Sequence, residues 1–126
     1  MPLKKVNVFR ISEHEEQKAF MEWVKIHETT YPGIDHMFAV PNGGKRSFSV
    51  AKKLKAEGVK RGVPDLFLPV PKGLFCGLWI EMKAKDGKLS ADQILWRDFL
   101  TAKSYAWKVC YGCNEAIKTV QWYWNQ

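Results

Sequence analysis

Glu81 and Lys83 stand two residues apart in Leu78-Trp79-Ile80-Glu81-Met82-Lys83, a run that reads as a β-strand. Side chains alternate along a strand, so Glu81 and Lys83 share one face and Ile80 and Met82 the other. Alone, that pair would be an ordinary ion pair on a solvated sheet. Asp65 changes the reading. It stands at the mouth of the preceding apolar strand, after Gly62-Val63-Pro64, and a short reversal at Pro71-Lys72-Gly73 joins the two strands. Antiparallel pairing across that reversal would bring Asp65 close to Glu81. Two carboxylates beside a lysine suit a hard cation, Mg²⁺ or Mn²⁺, that keeps waters for reaction. The lysine could orient or deprotonate a water, or offset charge on a phosphate. Together these groups are the apparatus of phosphodiester hydrolysis.

A second set of residues points to the same kind of substrate. The 126-residue chain carries 20 Lys and Arg against 13 Asp and Glu, a net charge of +7. The excess is concentrated at Lys45, Arg46, Lys52, Lys53, Lys55, Lys60 and Arg61, opposed locally only by Glu57. Such a cluster reads as a phosphate-binding surface and favours nucleic acid as partner. The segment Asn42-Gly43-Gly44-Lys45-Arg46 is either a loop whose amides and cations touch phosphate or an ordinary connection.

The elements that must position these groups are marked by caps and breaks. Ser12 with Glu15 forms a capping box for a helix over 13–28, which stops before Tyr31-Pro32-Gly33. A strand is predicted over 34–40 and a helix over 47–57, with Gly58 as its left-handed C-terminal cap. Strands follow at 66–70 and 78–83. Ser90 and Gln93 make a second capping box for a helix running to Lys103. A last strand over 105–111 and a helix capped by Asn114 and ending near Trp124 complete the order α-β-α-β-β-α-β-α. That order specifies an α/β chain, a mixed β-sheet flanked by helices. The length fits one domain, 1–126, with a core of its own.

Composition excludes other classes. With 46% hydrophobic and 26% charged residues the chain is not disordered, and no apolar run approaches the roughly 20 residues of a bilayer span. Residues 1–10 do not read as a signal peptide. The expectation is a cytoplasmic protein with no membrane partner. Three cysteines argue against a disulfide framework. Cys110-x-x-Cys113 has the form of half a zinc site or a redox pair, but no second pair follows, and plain core or turn cysteines account for it.

Pro64-Asp65 followed by Glu81-Met82-Lys83 resembles the PD-(D/E)xK nuclease superfamily. The surroundings are more specific. Glu13-His14-Glu15-Glu16-Gln17, Pro41-Asn42-Gly43-Gly44-Lys45-Arg46, the stretch Leu54-Lys55-Ala56-Glu57-Gly58-Val59-Lys60-Arg61-Gly62-Val63-Pro64-Asp65-Leu66, and Leu89-Ser90-Ala91-Asp92-Gln93 resemble, in order, the VRR-NUC (virus-type replication-repair nuclease) family. The resemblance spans about residues 13–117. It implies a restriction-endonuclease-like core. It also implies a metal site built by Asp65, Glu81 and the Met82 carbonyl, with Lys83 as the catalytic lysine. An acid of the first helix would complete that site. Glu13 shares a face with Gln17, Phe20 and Val24 and is preferred over Glu16, which stays open. Gln17 would orient that acid or satisfy backbone groups. Gln93 would mark the helix facing the site, although its capping role alone explains it. Gly62 would let a DNA backbone approach, or only permit a turn. The implied activity is a Mg²⁺- or Mn²⁺-dependent DNA endonuclease resembling Holliday-junction resolvases, with in-line attack leaving a 5′ phosphate. A bacterial or phage-infected host cell is implied only by this resemblance.

Of the six tryptophans, Trp23 and Trp96 read as core. Trp122, Tyr123 and Trp124 in succession cannot all be buried on one helical face, which hints at a partner surface. With the homodimeric habit of small relatives, this predicts a symmetric dimer suited to a four-way DNA junction. Two readings compete: a nuclease acting on flaps, ends or duplex, and a nucleic-acid-binding module without cleavage, for which the basic cluster would suffice.

Overall fold

The computed structural model describes residues 11–41 and 47–126. Helix α1 (Glu13–Ile26) opens on the predicted capping box: Ser12 accepts from the Glu15 N–H, and the Glu15 carboxylate accepts from the Ser12 N–H. A 3₁₀ turn (Ile34–His36) and a two-residue strand β1 (Phe38–Ala39) follow. The strand expected over 34–40 is therefore mostly not a strand. Gly33 adopts φ 95°, and the His36 and Met37 N–H groups turn back to Gly33 and Ile34, so only two residues remain to pair. Helix α2 (Phe48–Ala56) is capped by Ser47 and ends at Gly58 with φ 100°, as predicted.

Strands β2 (Leu66–Leu68) and β3 (Leu78–Lys83) pair antiparallel. β2 stops at Leu68 because Pro69 has no N–H to extend the ladder. Helix α3 (Ala91–Ala102), opened by the Ser90–Gln93 capping box, crosses over to β4 (Ala106–Tyr111), which runs parallel to β3. Parallel neighbours need such a crossover. Helix α4 (Cys113–Trp124) ends the fold. Its N-cap is Gly112, two residues before the predicted Asn114 cap, and a side chain distant in sequence caps its first N–H.

The sheet order is β1-β2-β3-β4. One face is the core. Leu66, Leu68, Leu78, Ile80, Met82, Ala106 and Cys110 are buried there with Phe20 and Val24 of α1 and Ala116, Val120 and Tyr123 of α4. The other face carries an aromatic row across all four strands, since Phe38 pairs with Phe67, Phe67 with Trp79, and Trp79 with Trp107. The three aromatics near the end of α4 are accounted for within the chain. Tyr123 is buried and its hydroxyl donates to the Val70 carbonyl at 2.6 Å. Trp122 packs under the Lys108 ammonium, and Trp124 under Lys72 and against Tyr31. Trp122 and Trp124 stay half-exposed. Among the described residues no helix is long and apolar enough to cross a membrane.

Candidate metal centre

The sheet register delivers the acidic residues. Leu66 pairs with Ile80, so one step back along the antiparallel ladder Asp65 lies opposite Glu81. Asp65 is fixed from both sides: its backbone carbonyl accepts from the Val40 N–H at 2.7 Å, and its carboxylate accepts from the Met82 N–H at 2.7 Å. Glu81 is 2% exposed, the one buried charged residue among those described. Glu13, in the first turn of α1, reaches the same place, and the Ala84 backbone hydrogen-bonds to it. Carboxylate oxygens of Glu13, Asp65 and Glu81 all lie within 4.8 Å of one another.

Three acids so close disfavour one another's charge. Burial pushes the Glu81 carboxyl up to about 9, and the Asp65 charge adds to the rise. Asp65 is raised by burial, tempered by the Met82 N–H. Glu13 is raised by burial and by the Asp65 charge. The Lys83 charge pulls all three back, which puts its ammonium beside the group. One Glu81 oxygen, Oε1, accepts from Gln93 Nε2 at 2.9 Å, whereas Oε2 is buried with no partner other than the Asp65 carboxyl, with which it can share a proton. A buried carboxylate oxygen left unpaired costs free energy unless a cation takes it. The donors are all hard oxygens, which fits Mg²⁺ or Mn²⁺.

The remaining sequence-predicted residues fall into three groups. Gln93 serves in two roles at once: its Oε1 accepts from the Ser90 N–H at 2.8 Å, and its Nε2 reaches Glu81. Glu16 stands apart from the acidic group. Its carboxylate accepts from the Cys113 N–H at 2.6 Å and lies against Gly112, capping α4. Gln17 is half-buried on α1. Lys52 and Lys53 are exposed on α2, a helix that buries no residue, and Lys60 and Arg61 are exposed in the loop before β2. Lys45 and Arg46 lie outside the described residues. Cys110 and Cys113 are free thiols; Cys110 pairs with Thr119 at 3.3 Å, and neither belongs to a metal-ligand group among the described residues.

Two features were not anticipated. Trp96, expected in the core, instead ties a loop: its Nε1 donates to the Arg61 carbonyl at 3.0 Å. Gly62, at φ 86°, packs so tightly on α3 that a Cβ there would sit 2.5 Å from the Asp92 carbonyl carbon. The spacing of Trp96 three residues after Gln93, on one helix face, was the available signal.

A mixed sheet with two acids and a lysine on adjacent strands, joined by a third acid from α1, makes a nuclease-type core. The family model for the VRR-NUC domain matches residues 11–114, so the chain belongs to the VRR-NUC domain family. A solved structure described as a VRR_NUC domain protein is similar over 91% of this chain and 89% of its own, at 28% identity and a TM-score of 0.77. No curated protein matches the chain.

Proposed function

We propose that this chain is a metal-dependent DNA endonuclease acting on branched DNA, a four-way junction in particular, as a homodimer. The observation that carries the metal dependence is the trio of Glu13, Asp65 and Glu81, whose carboxylate oxygens lie within 4.8 Å of one another around the buried Glu81. These three side chains and the Met82 carbonyl would hold Mg²⁺ or Mn²⁺. When bound, such an ion supplies Lewis acidity and a water of lowered pKa. The chain's own residues do the rest. Gln93 fixes the Glu81 carboxylate, and the Met82 N–H fixes that of Asp65. Lys83 keeps a positive charge beside the acids, where it can orient a water or offset charge on the phosphate. Lys52, Lys53, Lys60 and Arg61 offer phosphate contacts, with Lys45 and Arg46 just before them in sequence and outside the described residues.

The junction preference and the dimer rest on the family likeness and on symmetry, because two copies can serve two equivalent strands. The test is cleavage of an immobile four-way junction with Mg²⁺ or Mn²⁺, beside matched duplex, flap and single strand. Paired symmetric cuts, lost in Lys83→Ala and Asp65→Ala, are the expected result. Cutting of the other substrates alone would refute the junction preference. Binding without any cutting would refute the endonuclease. Light scattering on the free protein should give twice the monomer mass; a monomer at micromolar concentration would refute the dimer.

A further inference from the structure

A cleft of about 350 Å³, within the roughly 300–1,000 Å³ span of small-molecule sites, is lined in part by residues that hold or neighbour those fixing the acidic trio. Val40, Pro41, Val59, Val63 and Trp96 form its apolar lining. Among the described residues its lining carries one charge of each sign, Glu57 and Lys60, and is otherwise mostly apolar, which suits an uncharged aromatic face better than a phosphate. Its walls are carried by the residues that fix the acids. Val40 donates its N–H to the Asp65 carbonyl, and Val63 stands two residues before Asp65. Trp96 follows Gln93, the partner of Glu81, by three residues, roughly 4.5 Å along the helix axis. The Trp96–Arg61 hydrogen bond and the close packing of Gly62 on α3 hold the 58–63 loop in place as one wall.

We infer that this cleft seats one nucleobase, unstacked from its neighbours, of a nucleotide flanking the cut phosphodiester. The inference rests on the nuclease reading and adds a substrate requirement to it: the strand must be able to release a base beside the cut, as a branch point or single strand can and continuous duplex does only at a cost. The chemistry fits the occupant. A base is flat, uncharged and apolar on its faces, and an aromatic wall is the usual platform for it.

The test is an abasic scan. The cut is first mapped on a branched DNA carrying duplex and single-stranded arms. Single abasic sites are then placed at each position around the cut, and binding is measured with the Lys83→Ala protein. One abasic position within two nucleotides of the cut should weaken binding at least about fivefold, the low end of one base–aromatic stack. In Lys83→Ala protein that also carries Val59→Trp, which fills the cleft, intact and abasic DNA should bind alike. Circular dichroism checks that this variant folds; if it does not, Trp96→Ala takes its place, and the scan itself needs neither. A flat scan with an enzyme that cuts would overturn the base pocket and leave the nuclease standing. An abasic effect that survives both substitutions would also overturn it. Failure to bind or cut any DNA would overturn both.

Discussion

Glu81 sets the chemistry at the scale of single residues. Its carboxyl is raised from an ordinary value near 4.5 to about 9, so the metal-free folded protein holds a proton there that the unfolded chain has lost. Stability of the metal-free protein should therefore be greatest below about pH 4.5 as far as this group is concerned, and fall as pH rises toward 9. Thermal melting in chelator from pH 5 to 9 should show that decline, and Glu81→Gln should flatten it. Binding of Mn²⁺ at pH 7 should also expel close to one proton, visible in calorimetry as a heat that depends on the buffer's ionisation enthalpy. Gln93→Met should weaken Mn²⁺ binding and cost about 1 kcal/mol in urea unfolding, because it removes the Glu81 hydrogen bond and the acceptor of the Ser90 N–H, while the Ser90 hydroxyl keeps its own bond to the backbone. Asp65, Glu81 and Lys83 were legible because strand alternation and a reversal suffice to gather them. The choice between Glu13 and Glu16 was not. Both follow one cap on one helix, and only the contact of Glu16 with the Cys113 N–H separates their surroundings.

Among the elements, those with local signals were read well. Both capping boxes and the Gly58 stop are made within a few residues and need no tertiary partner. The errors arose where a neighbour decides. The start of α4 is set by Glu16, 97 residues away, and β1 is cut short by turns that follow Gly33. The intrachain partners of the Trp122-Tyr123-Trp124 run, the Lys72 and Lys108 ammonium groups and the Val70 carbonyl, lie far off in sequence and could not be read from it. Gly62 tests the docking of the 58–63 loop on α3. Gly62→Ala must move the Asp92 backbone or abandon φ 86°, and should cost on the order of 2 kcal/mol in urea unfolding. Gly58→Ala, which meets nothing within 4 Å, bears only the backbone strain and should cost less.

For the whole molecule, the charge distribution makes DNA binding a question of salt. Lys53 is exposed on α2, away from the acids, so Lys53→Ala should weaken binding equally for all sequences. It should also lower the slope of log K against log salt by about 1, measured by fluorescence anisotropy. The acids themselves are supported unequally. Asp65 and Glu81 sit on strands stitched to each other, whereas Glu13 rides on α1, which is fastened to the start of α4 through Glu16. If α1 lifts away briefly, the strand pair keeps two oxygen donors and loses the third. An ion held by all three then acts as a clasp between the first helix and the β2–β3 strand pair, adding its binding free energy to the work of separating them. Amide hydrogens of α1 should thus exchange more slowly in millimolar Mg²⁺, while those at the centre of β3, which open only when the whole sheet does, gain no more than the protein's overall stability gains.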